Sequence, residues 1–488
     1  MRKSGILMHI TSLPGPYGIG TMGESARDFI DFLRQAGQSY WQILPLNPTG
    51  YGDSPYQSFS TFAGNPYLID PDLLIRQGLL KPGEPEQFSW GDDPERVDFG
   101  KIFSSRMDLL RLAFSRFRPY KGYEQFVTDN QDWLYDYALF MALKEAHDGR
   151  DWQQWEDPLR FREPQALEAA RKQLAPSIAL HCFLQFEFSL QWRSLRSYAR
   201  SQGIGIIGDI PIYVPLDSAD VWANPELFQL DDNRHPQAVA GVPPDAFTAD
   251  GQLWGNPLYN WEAMEKDGYQ WWLRRLRAAG ALYDITRLDH FRGFESYWSV
   301  PAGDSNARRG HWEKGPGRSF LEALQAGNFS CIAEDLGYVT PAVRSLQEAS
   351  GYPSMKVLQF AFDSREQSDY LPHFYPVNSV CYSGTHDNLT LLQWLQEAKP
   401  EDVAMAKAYL GLNSDEGPVW GMIRGCMGSV SKLCIIQMQD YLELDGTARM
   451  NFPGTLSPSN WTWRVRPEAL TPQLAEKIRS TTERYGRI

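Results

Sequence analysis

Eight short apolar runs, separated by stretches with helical spacing, most narrow what this chain can fold into. They cover residues 5–10, 40–46, 205–214, 283–295, 330–336, 355–362, 380–384 and 433–438. Runs this short, with little polar alternation, suit parallel strands buried on both faces. Between them, residues 24–37 place Ala26, Phe29, Ile30 and Leu33 at helical spacing. Thr340-Pro341 reads as an N-cap with proline at the first helical position, and Gly351 as the stop. Thr471-Pro472 opens a final helix in the same way. Eight strands alternating with helices predict an α/β fold, a (β/α)8 TIM barrel with no separate C-terminal β-domain.

Two interruptions are too long for loops. Residues 47–200, between the second and third strands, read as a loop followed by a helical subdomain. Residues 215–268, between the third and fourth, are polar and rich in Pro and Gly. Both are expected at the upper rim of one catalytic barrel spanning 1–488.

Composition narrows the partners. A net charge of −13 argues against nucleic acid, which requires a basic face. No apolar run approaches the ~20 residues of a membrane span. The five cysteines form neither CxxC nor a zinc spacing, so reduced thiols in a cytoplasmic protein are expected, and no metal. G-P-Y-G-I-G (15–20) matches neither dinucleotide nor P-loop patterns, so no cofactor is expected. The 17 Trp and 23 Tyr, several of them beside Gly, Asn and Asp, suit a sugar cleft, where flat rings cover a pyranose face.

In a barrel, catalytic groups stand at the C-terminal ends of strands. Three carboxylates meet that condition: Asp289 in R-L-D-H-F-R-G, Glu334 in C-I-A-E-D-L-G and Asp387 in G-T-H-D-N. Asp209, in the third run, is a weaker fourth. A retaining glycosidic mechanism uses one ionised carboxylate as nucleophile and one protonated carboxyl as acid. Arg287 beside Asp289 suits the first role. Glu334, backed by an apolar strand and facing other carboxylates, suits the second. Structural duties compete at each position: an ion pair with Arg287 or Arg292 for Asp289, a turn cap for Glu334, an Asx turn or helix N-cap for Asp387.

These motifs, in this order, resemble the amylomaltase family, the 4-α-glucanotransferases of disproportionating type, relatives of the α-amylases. The likeness spans the chain. It includes T-S-L-P-G-P-Y-G-I-G (11–20), G-Y-G-D-S-P-Y-Q-S-F-S (50–60), G-D-I-P-I-Y-V (208–214), G-V-P-P-D (241–245), W-G-N-P-L-Y (254–259), A-R-M-N-F-P-G (448–454) and N-W-T-W-R (460–464). The resemblance implies transfer of α-1,4-glucan segments among maltooligosaccharides and longer α-1,4-glucans. Asp289 would be the nucleophile, Glu334 the acid/base and Asp387 a transition-state stabiliser. Arg287 and His386 would contact the sugar at the cleavage point, Tyr56 would stack on it, and Asp209 would support the site. Trp254 and Asp245, on the loop after the third strand, would line the glucan channel. Two positions depart from the family pattern: Leu389 replaces an Asp after G-T-H-D-N, and Ser459 replaces the Gly before N-W-T-W-R. The alternatives are an α-amylase-like retaining hydrolase with the same site, and a glucan-binding protein on an inactive barrel.

Overall fold

The computed structural model of the chain describes residues 2–244, 249–337, 339–365 and 368–488. Its strands, in chain order, are β1 (Lys3–Leu7), β2 (Tyr40–Gln42), β3 (Gly205–Ile210), β4 (Ala238–Val242), β5 (Gln252–Pro257), β6 (Ile285–Leu288), β7 (Ser296–Pro301), β8 (His311–Lys314), β9 (Cys331–Ala333), β10 (Ser354–Val357), β11 (Ser379–Tyr382) and β12 (Leu433–Gln437). Eight of them close a barrel in the order β1-β12-β11-β10-β9-β6-β3-β2. All neighbours are parallel, and β1 closes on β12 with Lys3 opposite Leu433 and Leu7 opposite Gln437. Each apolar run read from the sequence overlaps one barrel strand, with β1, β10 and β11 starting one or two residues earlier than their runs.

The flanking helices form for the reasons the sequence suggests. Helix Glu24–Gln35 buries Ala26, Phe29, Ile30 and Leu33 on one face. Phe29 is fully buried against Trp41 of β2, and its truncation to Ala would cost about 3–5 kcal/mol. Helix Pro341–Ser350 starts where Thr340 Oγ1 accepts from Val343 N, and Gly351 ends it in the left-handed region at φ 71°.

Between β2 and β3 the chain builds helices Phe99–Arg116, Lys121–Asp129, Leu134–Ala146, Pro164–Gln173 and Ala175–Ser201. Their apolar faces join the barrel in one continuous core. The segment after β3 differs from the loop-like reading. It supplies β4 and β5, which pair with β7 and β8 in an antiparallel sheet ordered β5-β4-β7-β8. Exposure alternates along Gln252–Asn256, as in a sheet with one solvated face. That weak alternation, interrupted by Gly241, Gly251 and Gly255, is why the apolar-run criterion passes over these strands.

The five cysteines are free and buried. No helix among the described residues is long and apolar enough to cross a membrane.

Candidate active site

Main-chain register brings the first charged groups together. Asp209 on β3 pairs with Arg287 on β6, so both side chains leave the sheet on the same face. Arg287 Nη1 lies 2.9 and 2.7 Å from the two oxygens of Asp209. Asp289, two residues beyond Arg287, keeps the same face, and its Oδ1 lies 2.8 Å from that nitrogen. Leu288 pairs with Ala333, which places Glu334 across from Asp289 just past the strand ends. Arg287 Nη2 lies 4.0 Å from Glu334 Oε2. One buried guanidinium thus faces three carboxylates.

That imbalance sorts the protons. A single cation cannot offset three nearby negative charges in a water-poor site, so the carboxylate farthest from it is the one that stays protonated. Burial pushes Glu334 up to about 7; Arg287 opposes the shift and Asp289 adds to it. Burial also raises Asp289, but Arg287 at contact distance pulls it back. Asp289 is therefore the more readily ionised of the two.

A strained turn then orients Glu334. His290 adopts a left-handed backbone, φ 49°, which costs a residue with a side chain about 1–2 kcal/mol. The turn aims His290 N–H at Glu334 Oε2 (2.7 Å), and Phe291 N–H donates to Glu334 O (2.9 Å). Leu336 N–H donates to Glu334 Oε1 at 2.8 Å. The His290 ring packs edge-on against Trp254, with centroids 4.8 Å apart. Burial, aided by Arg292, lowers this imidazole to about 3, so it is neutral.

Asp387 reaches the same mouth from the loop after β11. Its Oδ1 accepts from Asn451 Nδ2 at 2.6 Å and lies 3.4 Å from His386 Nε2. Its carbonyl accepts from Arg449 Nη2 at 2.7 Å. The capping duty that competes for Asp387 belongs to its neighbours. Thr390 caps helix Leu391–Glu397, and Asn388 Oδ1 accepts from Thr385 N and Oγ1. Asp335, by contrast, is structural, accepting from Met355 N at 2.8 Å.

Tyr56 ties the two halves together. Its hydroxyl donates to Asp209 Oδ2 at 2.7 Å and lies 3.4 Å from His386 Nδ1. Its ring stacks on His386 at 4.9 Å, and Trp461 packs tilted against both rings. Tyr382 OH donates across the barrel to Gln42 Oε1 at 3.0 Å.

Asp289, Glu334, Asp387, Arg287, Asp209, His386 and Tyr56 thus form one connected network, joined through His290 to Trp254. Trp254, read from sequence as lying on a loop, belongs to β5. Asp245 lies outside the described residues. Sequence reasoning gave no role to Asn451, Arg449 and Trp461, although the stretches holding them contributed to the resemblance. The Leu389 side chain packs on the core, while its carbonyl accepts from Gln359 Nε2 at 2.7 Å. Ser459 Oγ is 2.7 Å from Ser457 Oγ, a local turn contact. Among the described residues, no group of three or more His, Cys, Asp and Glu side chains is placed to hold a metal ion.

Comparison with known proteins bears on the family and the fold. The family model described as 4-alpha-glucanotransferase matches residues 8–471. The 4-alpha-glucanotransferase of Streptococcus pneumoniae is 50% identical over 497 residues, covering 100% of this chain and 98% of the relative. That of Thermus thermophilus is 46% identical over 502 residues, covering 100% and 99%. The amylomaltase from Streptococcus agalactiae in complex with acarbose superposes with a TM-score of 0.97 at 41% identity, covering 100% of both chains. An α-amylase-like hydrolase is not favoured, since the matched family and these relatives are transferases. The chain belongs to the 4-alpha-glucanotransferases, the amylomaltase family.

Proposed function

We propose that the Asp289–Glu334–Asp387 site moves α-1,4-glucan segments between maltooligosaccharides by a retaining double displacement. Glu334 gives its proton to the glycosidic oxygen as the bond from that oxygen to the anomeric carbon breaks. Asp289 attacks the carbon from the opposite face. Arg287 holds Oδ1, and Oδ2 is the oxygen that forms the ester-like glycosyl-enzyme. The 4-hydroxyl of an acceptor glucan then attacks the same carbon, returning its proton to Glu334 and releasing Asp289. Asp387, oriented by Asn451, grips sugar hydroxyls most tightly in the flattened transition state.

Tyr56, His386 and Arg287 hold the sugar at the cleavage point, with Asp209 keeping Arg287 in place. Trp254 and Asp245 line the path of the glucan chain. One observation carries this reading: a single guanidinium contacts Asp289 at 2.8 Å and stands 4.0 Å from Glu334, whose carboxyl is pushed to about 7. That is a nucleophile and an acid set by environment over one centre. Incubation with maltotriose should release glucose and build longer maltooligosaccharides. Reducing ends that accumulate with no longer product would contradict transfer.

A further inference from the structure

Asp440 is a fully buried carboxylate, 1% exposed, in the helical turn Met438–Tyr441 that follows β12. The reaction above gives it no part. Its two oxygens reach two separate points of the chain. Ser383 Oγ donates to Oδ2 at 2.6 Å, and Leu391 N–H donates to Oδ1 at 2.7 Å. Ser383 is the first residue after β11, and Leu391 the first of helix Leu391–Glu397. The loop pinned between them carries His386 and Asp387.

The rest of the loop has supports of its own. Gln359 Nε2 donates to the carbonyls of Ser383 (3.2 Å) and Leu389 (2.7 Å). Gly384 leaves room for the Gln359 and Gln437 amides, which a Cβ would meet at 2.7 and 2.5 Å. Gln437 also reaches both ends, but as a donor: its N–H donates to Ser383 Oγ at 3.3 Å and its Nε2 to the Leu389 carbonyl at 3.4 Å. Asp440 alone among the described side chains accepts a hydrogen bond from each end of this loop.

We infer that Asp440 is a positioning residue for the transfer reaction: by clasping Ser383 and Leu391 it fixes the span of the loop and so the aim of Asp387 and His386 at the sugar. The inference rests on the role proposed for Asp387. A displacement of about 1 Å in a catalytic group can cost about 10²-fold in rate. A closed clasp prevents such drift in a residue whose own side chain is 44% exposed. The clasp requires hydrogen-bond capacity rather than charge. An Asn at this position can accept from Leu391 N–H and donate to Ser383 Oγ, since the serine hydroxyl can turn to accept.

The test compares D440A, D440N and D387N with the parent enzyme, measuring kcat and KM on maltotriose together with Tm. Asp440→Ala should lower kcat roughly 10- to 100-fold with KM within about twofold, because the aim of Asp387 matters most in the transition state. Asp440→Asn should recover kcat to within about threefold of the parent, since it keeps both hydrogen bonds. Parent-like kcat in D440A, a loss confined to KM, or an Asn variant as impaired as Ala would overturn the inference. Should D440A fail to fold, Ser383→Ala opens one side of the clasp, together with the longer bond that Ser383 Oγ accepts from Gln437 N–H (3.3 Å), and should lower kcat roughly tenfold; unchanged kcat in S383A would then overturn the inference. D387N separates the two claims. Full activity in D387N would refute the role of Asp387, whereas an impaired D387N beside an active D440A would refute the clasp alone.

Discussion

The two sides of the candidate site are held by different means. Asp289 and Glu334 stand at the ends of adjacent barrel strands, β6 and β9, and main-chain pairing sets their relative position. Their side chains are 26% and 11% exposed. Asp387 stands on a loop, its side chain 44% exposed, and is aimed by side chains: Asn451 and Arg449 on its own atoms, Asp440 at the loop ends. The strand side is built for strong electrostatic perturbation, because burial magnifies every charge there. The loop side is built for placement. Rigid, desolvated groups suit covalent and proton-transfer steps, and a wetter group held in place by side chains suits a grip on hydroxyls that tightens as the ring flattens.

Substitutions can break this contrast. The largest loss should come from Asp289→Ala, which removes the proposed nucleophile. On maltotriose its kcat should fall by at least about 10⁴-fold with fold and sugar binding retained, as for other enzymes stripped of a covalent nucleophile. Surviving activity would move the chemistry elsewhere. Glu334→Gln should lower kcat by roughly 10²–10⁴-fold, the usual worth of a general acid/base. It should also erase a limb of the pH profile. The proposed acid role needs Glu334 protonated, and burial pushes its carboxyl to about 7, so parent activity should fall as pH rises through that value, and the Gln variant should not show this fall.

Arg287→Met tests the electrostatic side through stability. Removing the cation leaves Asp209 and Asp289 buried without their partner, which should cost about 3–5 kcal/mol in denaturant unfolding. A cost near zero would mean that the site does not depend on this ion cluster. The smallest effect should come from the loop side. Asn451→Ala removes the 2.6 Å donor to Asp387 and should lower kcat roughly tenfold without moving the basic limb of the pH profile. A shift of that limb in N451A would show that the two sides are electrostatically coupled, sharpening or replacing the contrast drawn here.

How much of this was legible in the sequence follows the same division. Strands buried on both faces must be apolar, so all eight barrel strands stand out as runs, and carboxylates at their ends stand out against them. Asp289, Glu334 and Asp387 could therefore be nominated before the fold was in view. Arg287 was visible as a neighbour of Asp289, but its contact with Asp209 depends on β3–β6 register, which composition does not reveal. Strands β4 and β5 were missed because their alternation is weak and broken by Gly241 and Gly255, and β7 and β8 because they are short and mix polar with apolar residues. Asn451, Arg449 and Asp440 act across the fold, from segments with no periodicity of their own to mark them. A polar residue in such a segment looks the same whether it faces solvent or orients a catalytic loop.

The central claim, that Asp289 is the covalent nucleophile, is tested most directly by trapping. In Glu334→Gln, an α-maltosyl fluoride donor needs no acid to expel fluoride, while the missing base slows release of the sugar. Mass spectrometry should then show one maltosyl group added per chain, mapped by proteolysis to the peptide holding Asp289 and absent when Asp289 is also replaced by Ala. An adduct on another residue, or none while fluoride is still released, would contradict it.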